Sequence, residues 1–536
     1  MTRYDAIVVG SGCTGAMAAQ TLVERGASVV MVDAGFLPRH APAVPPETFV
    51  ALRRSDEEQS RYFLGSDLDA ARYRPVGAGA QFTPPRRYVT EGVAQWLPVR
   101  GDGFAPVESL ALGGLGCAWG LLCGVYSDAE LGRASLPSAA MRAAYQTVAD
   151  RIGISGAAGD DARPYTYADL SGVQPPVPAD PTAAAIAAAY ARRRAEVRSL
   201  GFHLGRPALA LLTQERDGRG ATQLRDMDFY ADGERAAWRP WMTIERLARA
   251  GNFHYEGNAF VTHFREDGDG VEAVAVDVRD RTQRRIAARR LVLAAGTLGT
   301  ARIVLRALAP SAALSLLCNA YTYVPCLVPS RLGKPMPERN LSLVQMTLFH
   351  DPGGEHRDVA AGTIFSYRSL LLFRLLREMP LPVRDARTLM QYLLSAFAIV
   401  GIDHPQERSG GKGLRLVPDA GAPSGDALEI SYALSDAERD AYDRRERAYL
   451  HVLRRMGAWP MKRVRPPLGS SIHYAGTLPF SQAERALHLA PSGRLHGTRS
   501  VFVADGSGFT FLPAKGLTFS LMANAHRIAS ALEFSA

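Results

Sequence analysis

His473 stands in the stretch SSIHYAGTLPF, Ser470 to Phe480, among small residues and turn formers. An imidazole titrates near neutrality, so it can take a proton from a hydroxyl at ordinary pH. A histidine in such a loop can equally lie on the surface or cap a helix, and the stretch alone leaves all three open. A second set of residues bears on the choice. Gly10, Gly12 and Gly15 have GxGxxG spacing in YDAIVVGSGCTGAMAAQTLVERGASVVMVDAG, Tyr4 to Gly35. Gly10 permits a tight turn, Gly12 lets backbone approach a pyrophosphate, and Gly15 lets a helix pack closely on a strand. Thr14 lies in the same turn, where a helix N-terminus stabilises phosphate charge. Asp33, about 20 residues on, is placed to accept from a ribose hydroxyl.

These residues need elements to hold them, and the flanking sequence supplies them. AIVV reads as a buried strand, AMAAQTLVERG as a helix stopped by Gly26, and ASVVMVDAG as a second strand ending at Asp33. In a chain with 50 glycines, GxGxxG alone is weak. With strand, helix and acid in order it meets the context a dinucleotide fingerprint requires. The plain alternative is a glycine-rich βα turn without a ligand. The fingerprint does not separate NAD from FAD.

Three later segments point to the flavin. ARRLVLAAGTLGTARIVL, Ala288 to Leu305, is a strand, a small-residue turn and a helix. GRLHGTRSVFVADGSGFTFLPAKGLTFSLMANAHRIASAL, Gly493 to Leu532, is a strand ending at Ala504-Asp505-Gly506, a loop and a long helix. ESLALGGLGCAWG, Glu108 to Gly120, pairs two glycines before a tryptophan. With these, the chain resembles the glucose-methanol-choline (GMC) oxidoreductases, a family of FAD enzymes. The resemblance spans the first 35 residues, about 100 to 125, about 240 to 305 and about 470 to 536. It implies an α/β fold in which a Rossmann-like FAD-binding domain, discontinuous in sequence, carries a mostly antiparallel α+β substrate-binding domain. The implied division gives residues 1–135, 237–314 and 471–536 to FAD, the last with the catalytic loop, and 136–236 and 315–470 to substrate. Gly113 and Gly114 would lie against the flavin, with Trp119 matching the tryptophan of the pyranose oxidase branch. Asp505 and Gly506 would meet the ribityl and pyrophosphate region, Val261 the adenine, and Ala295, Gly296 and Thr518 the cofactor. His473, with Gly476 and Thr477, matches the family's H-P-x-G-T histidine and would be the general base.

The chain departs from the family in several places. The second histidine or asparagine belongs to a segment resembling N-P-x-x-T. Here the stretch is AKGLTFS, and Gly516 is read at that place. Glycine cannot hydrogen-bond an alkoxide, so Lys515 is the candidate to supply charge there; a surface lysine is the alternative. LPF stands where the family has RMG. Some relatives attach flavin through a histidine near the paired glycines. No histidine occurs between His40 and His203, and Ala118 stands at that position, so FAD is expected to be noncovalent, with Cys117 a remote attachment point. The expected function is oxidation of a CH–OH donor, by family habit a sugar, polyol or aminosugar. The alternatives are a lyase or isomerase on the same fold, which Gly516 motivates, or oxidation of a lipophilic alcohol.

Composition bounds the rest. The 536 residues exceed one ordinary core and imply two domains. The net charge is +9, but the arginines are scattered and only four lysines occur, so nucleic acid is excluded as a partner. Five cysteines without a CxxC pair fit a reducing compartment. The N-terminus runs into a strand without a basic, then apolar, leader, so a cytoplasmic location is expected. Asp180 to Gly201 reads as one alanine-rich helix. SYRSLLLFRLLREMPLPVRDARTLMQYLLSAFAIVG reads as two helices split at Pro380 and Pro382. Arginines among its leucines suggest a solvated cover over the site rather than a membrane-touching lid. No histidines have metal-ligand spacing, and the partner expected is a small-molecule substrate.

Overall fold

The computed structural model describes residues 4–38, 44–45, 47–65, 84–228, 230–268, 270–366 and 379–534. The N-terminal pattern folds as its composition demands. Strand β1, Tyr4–Val9, is buried towards its end and runs into the Gly10 turn, where φ is +98°. Helix α1, Cys13–Glu24, starts three residues before the expected AMAAQ segment because the glycine turn is itself the helix entry. Strand β2, Val29–Val32, is fully buried and ends next to Asp33. Phe253–Glu256, β2, β1, Gln283–Leu293 and Val501–Val503 run parallel in that order, all within one seven-stranded sheet. An antiparallel meander of Ala259–Asp267, Gly270–Asp277 and Gln283–Leu293 completes it. Parallel strands covered by helices read as continuous apolar runs, as IVV and VVMV do here.

A second sheet of six strands is antiparallel throughout and draws on a different part of the chain. Its strands include Phe202–Gly205, Tyr321–Leu327, Met346–His350, Ala360–Ser366 and Phe397–Asp403. Val324, Leu348, Ile364, Val400 and Ile402 share a core with Ile186, Tyr449, Val452 and Leu453 of the helices Pro181–Arg192 and Asp436–Arg455. Alternation then turns Tyr321, Ala361 and Asp403 to the opposite face.

The alanine-rich segment is capped by Asp180 as expected, its carboxylate accepting from Thr182 and Ala183, but it forms two helices, Pro181–Arg192 and Arg194–Ser199. Of the two helices expected around Pro380, the second is Val383–Leu393, shorter than expected because Phe397–Asp403 joins the sheet. The first lies outside the described residues. Among the described residues no helix is long and apolar enough to cross a membrane.

Candidate functional site

One cavity of about 340 Å³ collects most of the residues singled out by the sequence. Gly10, Gly12, Thr14, Asp33, Gly114, Trp119, Val261, Ala295, Gly296, Asp505, Gly506, Thr518 and His473 line it. Gly113 lies just outside the lining, and its N–H donates to the Ser11 hydroxyl at 2.8 Å. Gly15 does a different job. A Cβ there would lie 1.9 Å from the Gly10 carbonyl, so only glycine lets α1 dock on the turn. Nothing stands within 4 Å of a Cβ at Gly12, where the backbone is open to the cavity. The first turn of α1 has no side-chain cap, which leaves its N–H groups for an anion.

Two acids, the half-buried Asp33 and the buried Asp505, frame this cradle. Asp33 accepts from the Ser11 hydroxyl and from Tyr255 at 3.2 Å. Burial, against those hydrogen bonds, pushes its carboxyl up to about 6. Asp505 accepts from Thr300 at 2.5 Å and from the Ser507 N–H and hydroxyl at 3.0 and 2.6 Å. Burial raises its pKa as well. At Gly506 a Cβ would meet the Tyr474 carbonyl at 2.8 Å, which brings the two C-terminal motifs together. The donor set, the open Gly12 backbone and the two acids fit a dinucleotide, with phosphate at the turn and a ribose at Asp33.

The HYAGT segment is held from several sides. The Tyr474 carbonyl accepts from Thr297 at 2.8 Å, and the Tyr474 hydroxyl donates to Gly469 O and accepts from Val107 N–H. Gly476, with φ of +77°, donates to Gly506 O at 3.0 Å, and Leu317 leaves no room for a Cβ. Ile472 has φ of +64°, a strained conformation for a β-branched residue, immediately before the histidine. His473 is half-buried, with Nδ1 3.1 Å from Asn319 Oδ1. The Asn319 amide nitrogen faces three carbonyls, His404 O at 2.7 Å, Pro513 O at 3.3 Å and Leu512 O at 3.4 Å. Flipping the amide would set its oxygen against them, so Oδ1 is the atom facing the histidine. Nδ1 therefore carries the proton, and Nε2 is the nitrogen without one. Burial lowers the His473 pKa to about 4. Asn319 lies in LCNAYTYV, which has no motif to mark it.

Lys515 and Gly516 are corrections. Neither lines the cavity. Lys515 is buried against Glu130, 2.7 Å from Oε2, and also donates to Val125 O. Its charge is neutralised there and is not offered to a substrate. Gly516 begins the helix Leu517–Ala531, and a Cβ on it would meet Leu122 O at 2.8 Å. Counting back from Thr518 as the threonine of N-P-x-x-T, the asparagine position is Ala514. Ala514 is buried with Tyr165, Phe349 and Ala361. Cys117 is buried outside the lining, its thiol directed at Leu112 O, and burial raises its pKa. Ala118 lines the cavity, and His473 is the one described histidine that does. No metal-binding cluster of His, Cys, Asp and Glu occurs among the described residues.

The fold has known counterparts. The structure of pyridoxine 4-oxidase from Mesorbium loti is similar along 98% of both chains, with a TM-score of 0.55 and 15% sequence identity. The chain thus shares the overall fold of that oxidase. No family model matches the sequence, and no curated protein does.

Proposed function

We propose that the protein is a GMC-type oxidoreductase that holds FAD noncovalently and oxidises a hydroxyl-bearing small molecule. The observation that carries the reading is one cavity shared by a dinucleotide cradle and a histidine whose bare nitrogen is fixed by Asn319. The likeness in fold to pyridoxine 4-oxidase supports it. In this reading the seven-stranded sheet is the core of a Rossmann-like FAD domain and the antiparallel sheet belongs to a substrate domain. Gly10, Gly12 and Thr14 hold phosphate, Asp33 a ribose, and Val261 the adenine. Gly113, Gly114, Trp119, Ala295, Gly296, Asp505, Gly506 and Thr518 hold the remainder. Bound flavin supplies the hydride acceptor. His473 Nε2 takes the hydroxyl proton while Asn319 keeps the proton on Nδ1 and the ring in place. A cytoplasmic location belongs to the same proposal. Ala514, at the place of the second polar group, favours one further reading, a non-redox flavoenzyme.

The test is anaerobic. A panel of alcohols, sugars, aminosugars and pyridoxine is mixed with purified protein while flavin absorbance is followed. Oxidation predicts bleaching by the true substrate. His473→Ala should keep its FAD and slow bleaching by about 10² to 10⁴, the range for losing a general base. Bleaching at the wild-type rate in that variant would remove His473 from the reaction. Flavin that no member of the panel bleaches would favour the non-redox reading.

A further inference from the structure

Glu108 and Arg302 form a buried ion pair in the wall of the cavity. Both residues line it, Glu108 9% and Arg302 1% exposed, and Arg302 Nη1 donates to Glu108 Oε1 at 2.6 Å. Arg302 Nη2 donates to Leu97 O at 3.3 Å. The pair lies at the Val261 end of the cavity. Arg302 and Arg306 share one face of the helix Thr297–Leu308, a turn apart. Arg306 Nη1 donates to Thr262 O at 3.2 Å, next to Val261 in the chain, and Leu97 packs in one cluster with Phe260 on the other side of Val261. Leu97, Phe260, Val261 and Arg306 line the cavity as well. Arg306 has its full partner, since Nε and Nη2 meet the two carboxylate oxygens of Asp426, each at 2.7 Å. Glu108 gives up only one oxygen in this way. Among the described residues nothing donates to its Oε2, and that oxygen is not sealed in protein, so it is open to the cavity. Stability does not account for the pair, because a buried ion pair is at best weakly stabilising against apolar residues of the same volume.

We propose that Glu108 and Arg302 read the base of the bound dinucleotide and select a 6-aminopurine over a 6-oxopurine. The proposal rests on the reading that FAD occupies the cavity, and it adds a pair of charged side chains to the place given to Val261. A carboxylate only accepts hydrogen bonds and a guanidinium only donates them. Side by side they present an acceptor next to a donor. Adenine presents the complement along one edge, the 6-amino group as donor beside a ring nitrogen as acceptor. Arg302 uses two of its five N–H groups on Glu108 and Leu97, which leaves others for the ring nitrogen. Hypoxanthine carries an oxygen in place of the amino group. Its lone pairs would face Glu108 Oε2, so a charge-assisted hydrogen bond would give way to repulsion and an unpaired carboxylate. The same carboxylate repels pyrophosphate from this end, and the uncapped first turn of α1 draws it to the other.

The test titrates the full-length protein, stripped of cofactor, with FAD and with flavin hypoxanthine dinucleotide, which differ in the purine 6-substituent. Binding is read from flavin fluorescence and involves no turnover. The wild type should bind FAD about tenfold to a hundredfold more tightly, the worth of one hydrogen bond to a charged group. Glu108→Gln keeps an amide oxygen for Arg302 and turns a donor to the cavity, so the preference should fall to within about threefold or reverse. Should that variant fail to fold with Arg302 uncompensated, Glu108→Gln combined with Arg302→Met removes both charges and should lose the preference equally. Equal binding of the two dinucleotides by the wild type overturns the proposal without any variant. A preference that survives in either variant overturns it too. ADP and IDP, compared by the rise in melting temperature they cause, separate the proposal from the cofactor reading. A preference for ADP while neither flavin dinucleotide binds refutes FAD and leaves the base-reading pair standing. FAD bound without preference leaves FAD standing and removes the pair, and a protein that binds none of the four loses both.

Discussion

Three carbonyls around the Asn319 amide nitrogen leave its oxygen nowhere to point but at His473 Nδ1. Two consequences follow for the pH dependence of the reaction. The neutral imidazole is the active form, and it prevails above the histidine's pKa. Burial sets that pKa at about 4, so the rate of flavin reduction should rise with pH through about 4 and be flat from about 6 to 8, where an unburied histidine would titrate. The sequence, read without burial, would put the step at 6 to 8. Asn319→Asp replaces the amide oxygen with a carboxylate. An opposite charge favours the imidazolium, so the step should move up by about one to three pH units. Asn319→Ala frees the tautomer and should slow reduction about tenfold or more. Stopped-flow rates across this range check both; a step that stays at about 4 in Asn319→Asp would show that the residue only packs.

Among the elements, the junction between Asp128–Arg133 and Leu517–Ala531 is the clearest case of structure replacing presumed chemistry. Ser127 and Glu130 form a capping box at the first helix. The same Glu130 carboxylate takes Lys515 from the loop before the second, and both side chains are 1% exposed. Removing one partner of a buried pair leaves the other charge uncompensated, which costs about 3 to 5 kcal/mol. Lys515→Met should therefore lower the urea midpoint while the folded protein reduces its flavin at the wild-type rate. A tenfold loss of rate without a loss of stability would return Lys515 to catalysis. The motif AKGLTFS was enough to bring this loop to the site, because Thr518 lines the cavity. It could not tell that Lys515 points away, since side-chain direction in an irregular turn is set by what packs around it. Glu130 lies 385 residues earlier in the chain.

At the scale of the molecule, what was legible is what repeats a local rule. The βαβ unit, the strand before Ala295 and the strand before Asp505 each carry their own periodicity and turn residues. Asn319 does not; it acquires meaning only when Leu317–Cys318 pairs with Tyr474–Ala475 beside it. The same long-range assembly governs the cofactor. The cavity takes its walls from residues 9–14, 32–34, 107–111, 114–116, 118–120, 259–261, 294–299, 471–474 and 505–506, with Leu97, Arg302, Ile303, Arg306, Leu517, Thr518 and Leu521, segments that only the folded chain brings together. A ligand spanning them binds the native state and not the unfolded chain, so it stabilises by mass action. At a hundred times its dissociation constant that is about 2.7 kcal/mol. Protein stripped of cofactor should melt several degrees lower, roughly, and regain the difference on addition of FAD. Riboflavin, which lacks the pyrophosphate and adenosine, leaves the Gly12 and Asp33 end empty and should restore less. Acid precipitation of the loaded protein should send all the flavin to the supernatant, since burial pushes the thiol of Cys13, which lines the cavity, up to about 12 and away from its reactive thiolate form. Flavin left in the pellet would refute noncovalent binding. A melting temperature indifferent to FAD would mean that the cavity holds something else.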